Sequence, residues 1–323
     1  MMGEPVIDIC EVAYDTECWT AYLRSLATVA PRYLVMFSGR LAALTGRAHG
    51  EVAAEAAHDP IGTAERLAHV LGRGFDIDHH VAALTESGVA HQILHGGPWP
   101  IRDATVNDTV AAFAARHPDR LSAWAGVSLT DSRTAIAEAR RALDELGATG
   151  LSVIPFLDGT DPSAPEHAGL WKLAADRGVP VWLHCGQHFR SDIPIDVSGP
   201  RVLDRIAGAH PGLVLVAGHG GWPWVTEMLA VAQRHPNVYL EFSSHRPSRM
   251  AARGSGWEAL LTLGAASVRS RVLFGSTSWT QASTPARLAA EVTWLGLPDD
   301  VVQAWLHGNA ERLLNRTWQG SAA

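Results

Sequence analysis

Cysteine is scarce in this chain of 323 residues: three, Cys10, Cys18 and Cys185, with no CxxC pair among them. An odd number without paired spacing argues against a disulfide framework or a zinc ribbon and fits a reducing cytoplasm. Lysine is scarcer still. Of 26 Lys and Arg residues only Lys172 is a lysine, and it falls in a helical stretch. A carboxylated strand lysine, one means of bridging two metal ions, is therefore excluded. Positive charge is in deficit overall, with a formal net charge of −7, so nothing offers a basic surface to nucleic acid or an anionic membrane. No apolar run approaches the roughly 18 residues that span a bilayer. The first twelve residues lack a basic start followed by an apolar run, so no secretory signal is expected.

What is present reads as a globular α/β protein. Short apolar runs alternate with helical patterns, the signature of βα units and a parallel sheet. Eight strands are expected, at about 6–12, 90–95, 122–127, 150–155, 179–184, 213–218, 238–242 and 271–275. Helices are expected at 105–116, 132–146 and 222–234, among others. Pro118 and Pro236 fall just after helices, where proline stops them. Eight such units in order predict a closed (β/α)8 TIM barrel over residues 1–323 as one domain. An open doubly wound sheet is the alternative, but it normally carries GxGxxG after its first strand, and none is present. Residues 13–75 are too long for a βα loop. They contain helical stretches at 17–27 and 63–71 and an alanine-rich part at 47–58. Two readings stand: a lid over the site at the C-terminal barrel face, or a peripheral dimerisation arm. The tail from Trp318 to Ala323 is expected to fray.

Function in such a barrel lies at the C-terminal strand ends. His184, in Val181-Trp182-Leu183-His184-Cys185-Gly186, ends the fifth strand. His219, in Ala217-Gly218-His219-Gly220-Gly221, ends the sixth, and its glycines let the backbone turn sharply beside the ring. An imidazole with a pKa near 6.5 serves as acid or base near neutrality. Both are the candidate catalytic residues. Among twelve tryptophans, Trp99, Trp222, Trp224 and Trp279 follow strand ends, and aromatic concave walls suit an apolar or aromatic ligand. His245, Arg246 and Thr277 complete the candidate substrate-binding set, Arg246 as a two-pronged clamp for a carboxylate. His95, Ser243 and Ser244 also follow strands, Gln187 and His188 extend the fifth-strand loop, and the pair His79-His80 is expected on a solvated helix face.

The motifs Leu183-His184-Cys185-Gly186, Gly218-His219-Gly220-Gly221-Trp222-Pro223-Trp224, His235-Pro236-Asn237-Val238-Tyr239, Phe274-Gly275-Ser276 and His307-Gly308-Asn309-Ala310-Glu311-Arg312-Leu313-Leu314 together resemble the amidohydrolase-related family. This is the branch holding carboxymuconate-semialdehyde and resorcylate-type decarboxylases and lactone hydrolases. The resemblance covers about 76–315. It implies a (β/α)8 barrel, a site at the C-terminal strand ends, and a homodimer. It matches His184 to a metal-ligating histidine and His219 to the histidine that acts on substrate. It matches Cys10 and Val12 to the two metal histidines of the first strand, and Thr277 to a strand-8 aspartate. Val12 donates nothing and Thr277 offers only a neutral hydroxyl, whereas a divalent ion needs several converging donors.

Three readings follow. The first is an enzyme acting on a small aromatic or carboxylated molecule by metal-independent acid/base chemistry: opening an activated ester or lactone, decarboxylation, or a biosynthetic tailoring step. No cofactor is then expected. The second is a zinc hydrolase or decarboxylase with a rebuilt Cys10, His184 and His219 site, with Asp8 on the same strand face as Cys10 assisting from deeper in the barrel. The third is a non-catalytic binding pseudoenzyme. The expected partners are a small-molecule substrate and a second copy of the chain, with no nucleic acid and no membrane.

Overall fold

The computed structural model describes residues 5–317; the tail from Trp318 lies outside them. Eight parallel strands follow one another around a barrel: β1 Val6–Glu11, β2 Val89–His95, β3 Leu121–Gly126, β4 Gly150–Val153, β5 Val181–His184, β6 Leu215–Gly218, β7 Val238–Glu241 and β8 Val272–Leu273. Each pairs in parallel with the next. The ring closes between its last and first strands, where Ile9 N–H donates to the Phe274 carbonyl (3.0 Å) and Thr277 N–H to the Cys10 carbonyl (2.8 Å). A closed parallel ring leaves no exposed strand edge. This is the (β/α)8 barrel that the alternation of patterns predicts. Ile7, Ile9, Ile93, Trp124, Trp182 and Val216 fill its interior, so the interior is a packed core and only the strand ends are free for chemistry.

The long connection after β1 folds into four helices, α1 Thr16–Val29, α2 Arg32–Thr45, α3 His49–His58 and α4 Pro60–Gly72. Their ends follow from local chemistry. The Asp15 carboxylate accepts the Cys18 N–H (2.8 Å), Asp59 accepts the Gly62 N–H (2.8 Å), and Gly46 closes α2 with φ +68°. Side-chain acceptors at the first turn and a left-handed glycine after the last satisfy the orphan backbone groups. Gly72 lets α4 press against the start of α1: a Cβ there would lie 2.4 Å from the Thr16 nitrogen. A fifth helix, α5 Ile77–Glu86, leads into β2.

The strand face of Asp8 differs from expectation. The pairing of β1 with β2 shifts register between Asp8 and Glu11. Ile7, Ile9 and Cys10 all pack into the barrel interior. Asp8 instead accepts hydrogen bonds from Gln92 Nε2 (2.9 Å), Ser276 N–H (2.9 Å) and the Ser276 hydroxyl (2.5 Å). A bulge breaks the two-residue alternation, so Asp8 and Cys10 do not share a face. His80 also departs from a solvated role. Its Nε2 lies 2.6 Å from Gln92 Oε1, while His79 beside it is exposed.

Candidate active site

The C-terminal strand ends open into a cavity of about 360 Å³. One wall belongs to the helical insertion: Tyr22, Leu26, Tyr33, Met36, Phe37 and Arg40 of α1 and α2 line it. Aromatic pairs tie that wall to the barrel loops. Tyr22 lies 4.9 Å from Trp99, Phe37 4.7 Å from Trp279, and Tyr33 stacks on Phe156 at 5.5 Å, all between ring centroids. Spacings of this order are those of favourable offset and edge-on aromatic contacts.

His184 and His219 both face this cavity, their ring centroids 5.1 Å apart, with Trp182 packed 5.3 Å from His219. His219 sits in the left-handed region at φ +56°, followed by Gly220 at +60° and Gly221 at +69°. Two glycines make that run tolerable, while His219 itself holds a strained conformation of the kind that clusters at functional sites. Ser244 (φ +61°) and Thr277 (φ +39°), at the ends of neighbouring strands, do the same, and both line the cavity.

Beneath His219 lies a group that the strand pattern concealed. Glu241 is wholly buried at the end of β7. Its Oε1 accepts from Trp182 Nε1 (2.9 Å), His219 N–H (2.7 Å) and the Ser243 hydroxyl (3.0 Å), and its Oε2 from Ser243 N–H (2.5 Å). His219 Nδ1 lies 2.8 Å from the same Ser243 hydroxyl. Burial pushes the Glu241 carboxyl above the usual carboxylate range, with these donors opposing the shift. A Val-Tyr-Leu-Glu strand reads as a buried run ending in a solvated acid. The signal available was its phase: Glu241 lies on a strand end beside His219, among the residues most apt for chemistry.

Burial also keeps the cavity histidines neutral. His219 and His95 are each pulled down to about 4, and His245 to about 3 by burial and then by His219. His184 is driven well below the ordinary imidazole range by burial and by His219 and His188. His95 donates from Nε2 to the Ile9 carbonyl (3.0 Å), since a carbonyl can only accept. These shifts set the acid stability. Between pH 6.5 and about 4 the unfolded chain binds protons that the folded histidines refuse, so stability falls as pH drops through that window. Each such histidine contributes about 1.4 kcal/mol per pH unit. Asp8, raised to about 7 by burial and Glu11, and Glu241 and Asp158, also raised by burial, work in the opposite direction, but the lowered histidines outnumber them. Denaturant midpoints are expected to decline steadily from pH 7 to 4.5; a flat profile would contradict the neutral histidine cluster.

Positive charge in the cavity comes from an unexpected place. Arg40, on α2, is its one Lys or Arg lining residue among the described residues. No hydrogen bond or ion pair engages its guanidinium there, its Nε is buried without a partner, and partial burial lowers its pKa. Arg246, the residue expected to clamp a carboxylate, is already engaged. Its Nε and one terminal nitrogen reach the buried Glu291 carboxylate (2.9, 3.1 and 2.5 Å), and it borders a separate depression. A buried glutamate must keep its cation, so Arg246 is not free for substrate. Trp224 likewise does not line the cavity, whereas Trp99, Trp222, Trp279, His245 and Thr277 do. Gln187 reaches the cavity, while His188 stacks on Phe156 instead (5.4 Å, 10°).

A closed ring of eight parallel strands whose C-terminal ends present paired histidines to an aromatic pocket is a (β/α)8 TIM barrel with a candidate site at its usual face. The chain belongs to the amidohydrolase family, whose model matches residues 16–316. It is 26% identical over 190 residues to decarboxylase orsB of Emericella nidulans, covering 52% of this chain and 54% of that protein. It is 32% identical over 168 residues to a gamma-resorcylate decarboxylase of Rhizobium radiobacter, covering 44% and 51%. The chain thus spans about half the length of the curated relatives it matches. Its fold matches 5-carboxyvanillate decarboxylase from Novosphingobium aromaticivorans, solved with manganese and 4-hydroxy-3-methoxy-5-nitrobenzoic acid, at a TM-score of 0.63, 18% identity and 97% coverage of each chain.

The donors here do not fit such an ion. Among the described residues no three His, Cys, Asp or Glu side chains converge as ligands. This also counts against the rebuilt site of Cys10, His184 and His219. The Cys10 thiol lies 3.5 Å from Thr277 Oγ1, and burial together with Glu241 pushes its pKa up, away from the thiolate that binds zinc. His184 Nδ1 is turned toward Ser198 Oγ (3.4 Å). Val12 has no donor atom.

Proposed function

We propose that this chain is a carbon–carbon lyase that decarboxylates a small hydroxylated aromatic carboxylate by acid/base chemistry at His219, without a metal ion. One observation carries the reading: His184 and His219, both neutral, face an aromatic-walled cavity whose one lining cation among the described residues is Arg40. The decarboxylase relatives support the reaction class. Aromatic walls accept a planar ring. Arg40 draws the carboxylate in and orients it through charge-assisted hydrogen bonds. The helical insertion, which forms one wall of the cavity, acts as the lid in this reading.

The chemistry needs a proton moved from oxygen to carbon. His219 takes the proton of a ring hydroxyl ortho to the carboxylate and then delivers it to the carboxyl-bearing ring carbon. The carbon–carbon bond breaks, carbon dioxide leaves, and the bonding electrons return to the ring and its oxygen as the phenolate, which restores aromaticity. No activated water is required, which suits a site without a Lewis acid. His184 holds the ring hydroxyl. Purified protein is expected to release carbon dioxide from 2,6-dihydroxybenzoate or 5-carboxyvanillate. Binding of these acids with no release would point to a non-catalytic binder instead.

A further inference from the structure

Ser243 lies between His219 and Glu241 and has one hydroxyl proton to give. Both neighbours are within reach: Glu241 Oε1 at 3.0 Å and His219 Nδ1 at 2.8 Å. Glu241 decides the direction. Its Oε1 already accepts two N–H groups whose protons are fixed in place, from Trp182 and from the His219 backbone. An oxygen so occupied is an acceptor whether or not the carboxyl as a whole is ionised, so it cannot supply a proton to Ser243. The Ser243 hydroxyl therefore donates to Glu241. Its oxygen is then left to accept; the Cys10 thiol, which also reaches Ser243, is a weak donor, and His219 Nδ1, at 2.8 Å from an oxygen whose proton points elsewhere, must carry its own hydrogen. The opposite arrangement would face the Ser243 oxygen against Glu241 Oε1 with no hydrogen between them. That is a buried contact without a donor, of the kind folded proteins avoid.

We infer that Ser243, anchored by Glu241, fixes His219 as the Nδ1–H tautomer and so presents Nε2 to the cavity as a proton acceptor. Nδ1 is the ring nitrogen that the Ser243 hydroxyl engages, and His219 lines the cavity. The inference rests on the reading of His219 as the residue that moves the proton. Ser243 and Glu241 act as positioning residues, touching neither substrate nor reacting atoms. When Nε2 accepts a proton, the positive ring remains 3.6 Å from Glu241, with Ser243 between them. This is the logic of a histidine oriented by a buried carboxylate, with a hydroxyl interposed.

The test needs no substrate. In protein labelled with nitrogen-15 histidine at pH 7, two-bond proton–nitrogen correlations report which ring nitrogen of His219 is protonated, with His219→Gln assigning the signals. The wild-type protein is expected to show Nδ1–H. Ser243→Ala is expected to lower the ratio of the Nδ1–H to the Nε2–H form by about fivefold, the size of one net hydrogen bond. Ser243→Thr, which keeps a hydroxyl, is expected to restore it. Glu241→Gln is expected to shift the ratio in the same direction as Ser243→Ala; should that buried variant not fold, the serine variants decide. An Nε2–H tautomer in the wild-type protein, or a ratio unmoved by Ser243→Ala, overturns the inference. Failure of decarboxylation alone would not alter these signals, so the two claims fail separately.

Discussion

Replacing His219 with alanine is expected to lower kcat by a factor on the order of 10²–10⁴, the usual worth of a positioned acid or base, with KM changing little. The expectation follows from where the ring sits. His219 shares the cavity with His184 at 5.1 Å between centroids, and its backbone is held at φ +56° by the glycines that follow. Truncation removes the imidazole without emptying the barrel core, because the layer beneath is Trp182 and Glu241, bonded to each other at 2.9 Å. Steady-state rates of carbon dioxide release, compared with the exposed-histidine control His79→Ala, read the effect. A KM rise with an unchanged kcat would make His219 a binding residue and remove it from the chemistry.

Arg40→Gln carries the second large effect. A charge-assisted hydrogen bond to a carboxylate contributes about 1.5–3 kcal/mol, which corresponds to a loss of affinity of roughly 10- to 150-fold. The loss should be confined to anionic ligands. Binding of 2,6-dihydroxybenzoate, measured by calorimetry, is expected to weaken by that factor, while its neutral methyl ester binds wild type and variant alike. Equal losses for acid and ester would mean that Arg40 only shapes the wall. No loss for either would return the search to another cation. Arg246 is a poor candidate for that search, since its guanidinium already neutralises the buried Glu291.

The contrast between these two arginines shows what the sequence could and could not reveal. Strand ends are legible because apolar runs stop at them, so His184 and His219 could be placed at the barrel mouth from their flanking residues alone. Arg246 has the same kind of position, yet its charge is spent on Glu291, 45 residues later in the chain, and no local pattern announces such a pairing. Arg40 follows no strand. It enters the site because α1 and α2 fold back over the barrel, a long-range packing outcome that spacing does not encode. Glu241 was hidden by the opposite effect, a charged residue closing a buried strand, where its four donors come from Trp182, His219 and Ser243. Asp8 and Cys10 fall on different faces because a register shift in β1 breaks the two-residue alternation of a regular strand. The eight strands survived all of this, since each needs only its own hydrophobic run and its neighbour.

On the proposed reading, the side chains of Cys10, Val12 and Thr277 take on meaning beside that geometry. They offer no acidic or imidazole side chain at the first and last strand ends beside the histidine pair, and the carboxylate of Glu241 is turned toward Ser243 and the backbone. A site arranged this way exchanges protons through imidazole. In the proposed function it works without a strongly polarising ion, which asks for a substrate that delocalises charge, as a hydroxylated ring does.

The most direct test is carbon dioxide release from 2,6-dihydroxybenzoate by protein stripped with chelator, with metal content measured in the same samples and manganese or zinc then added back. The account predicts that turnover persists in the stripped protein, is unchanged by either metal, and is lost in His219→Ala. Activity that disappears on stripping and returns with one equivalent of metal per chain would contradict it.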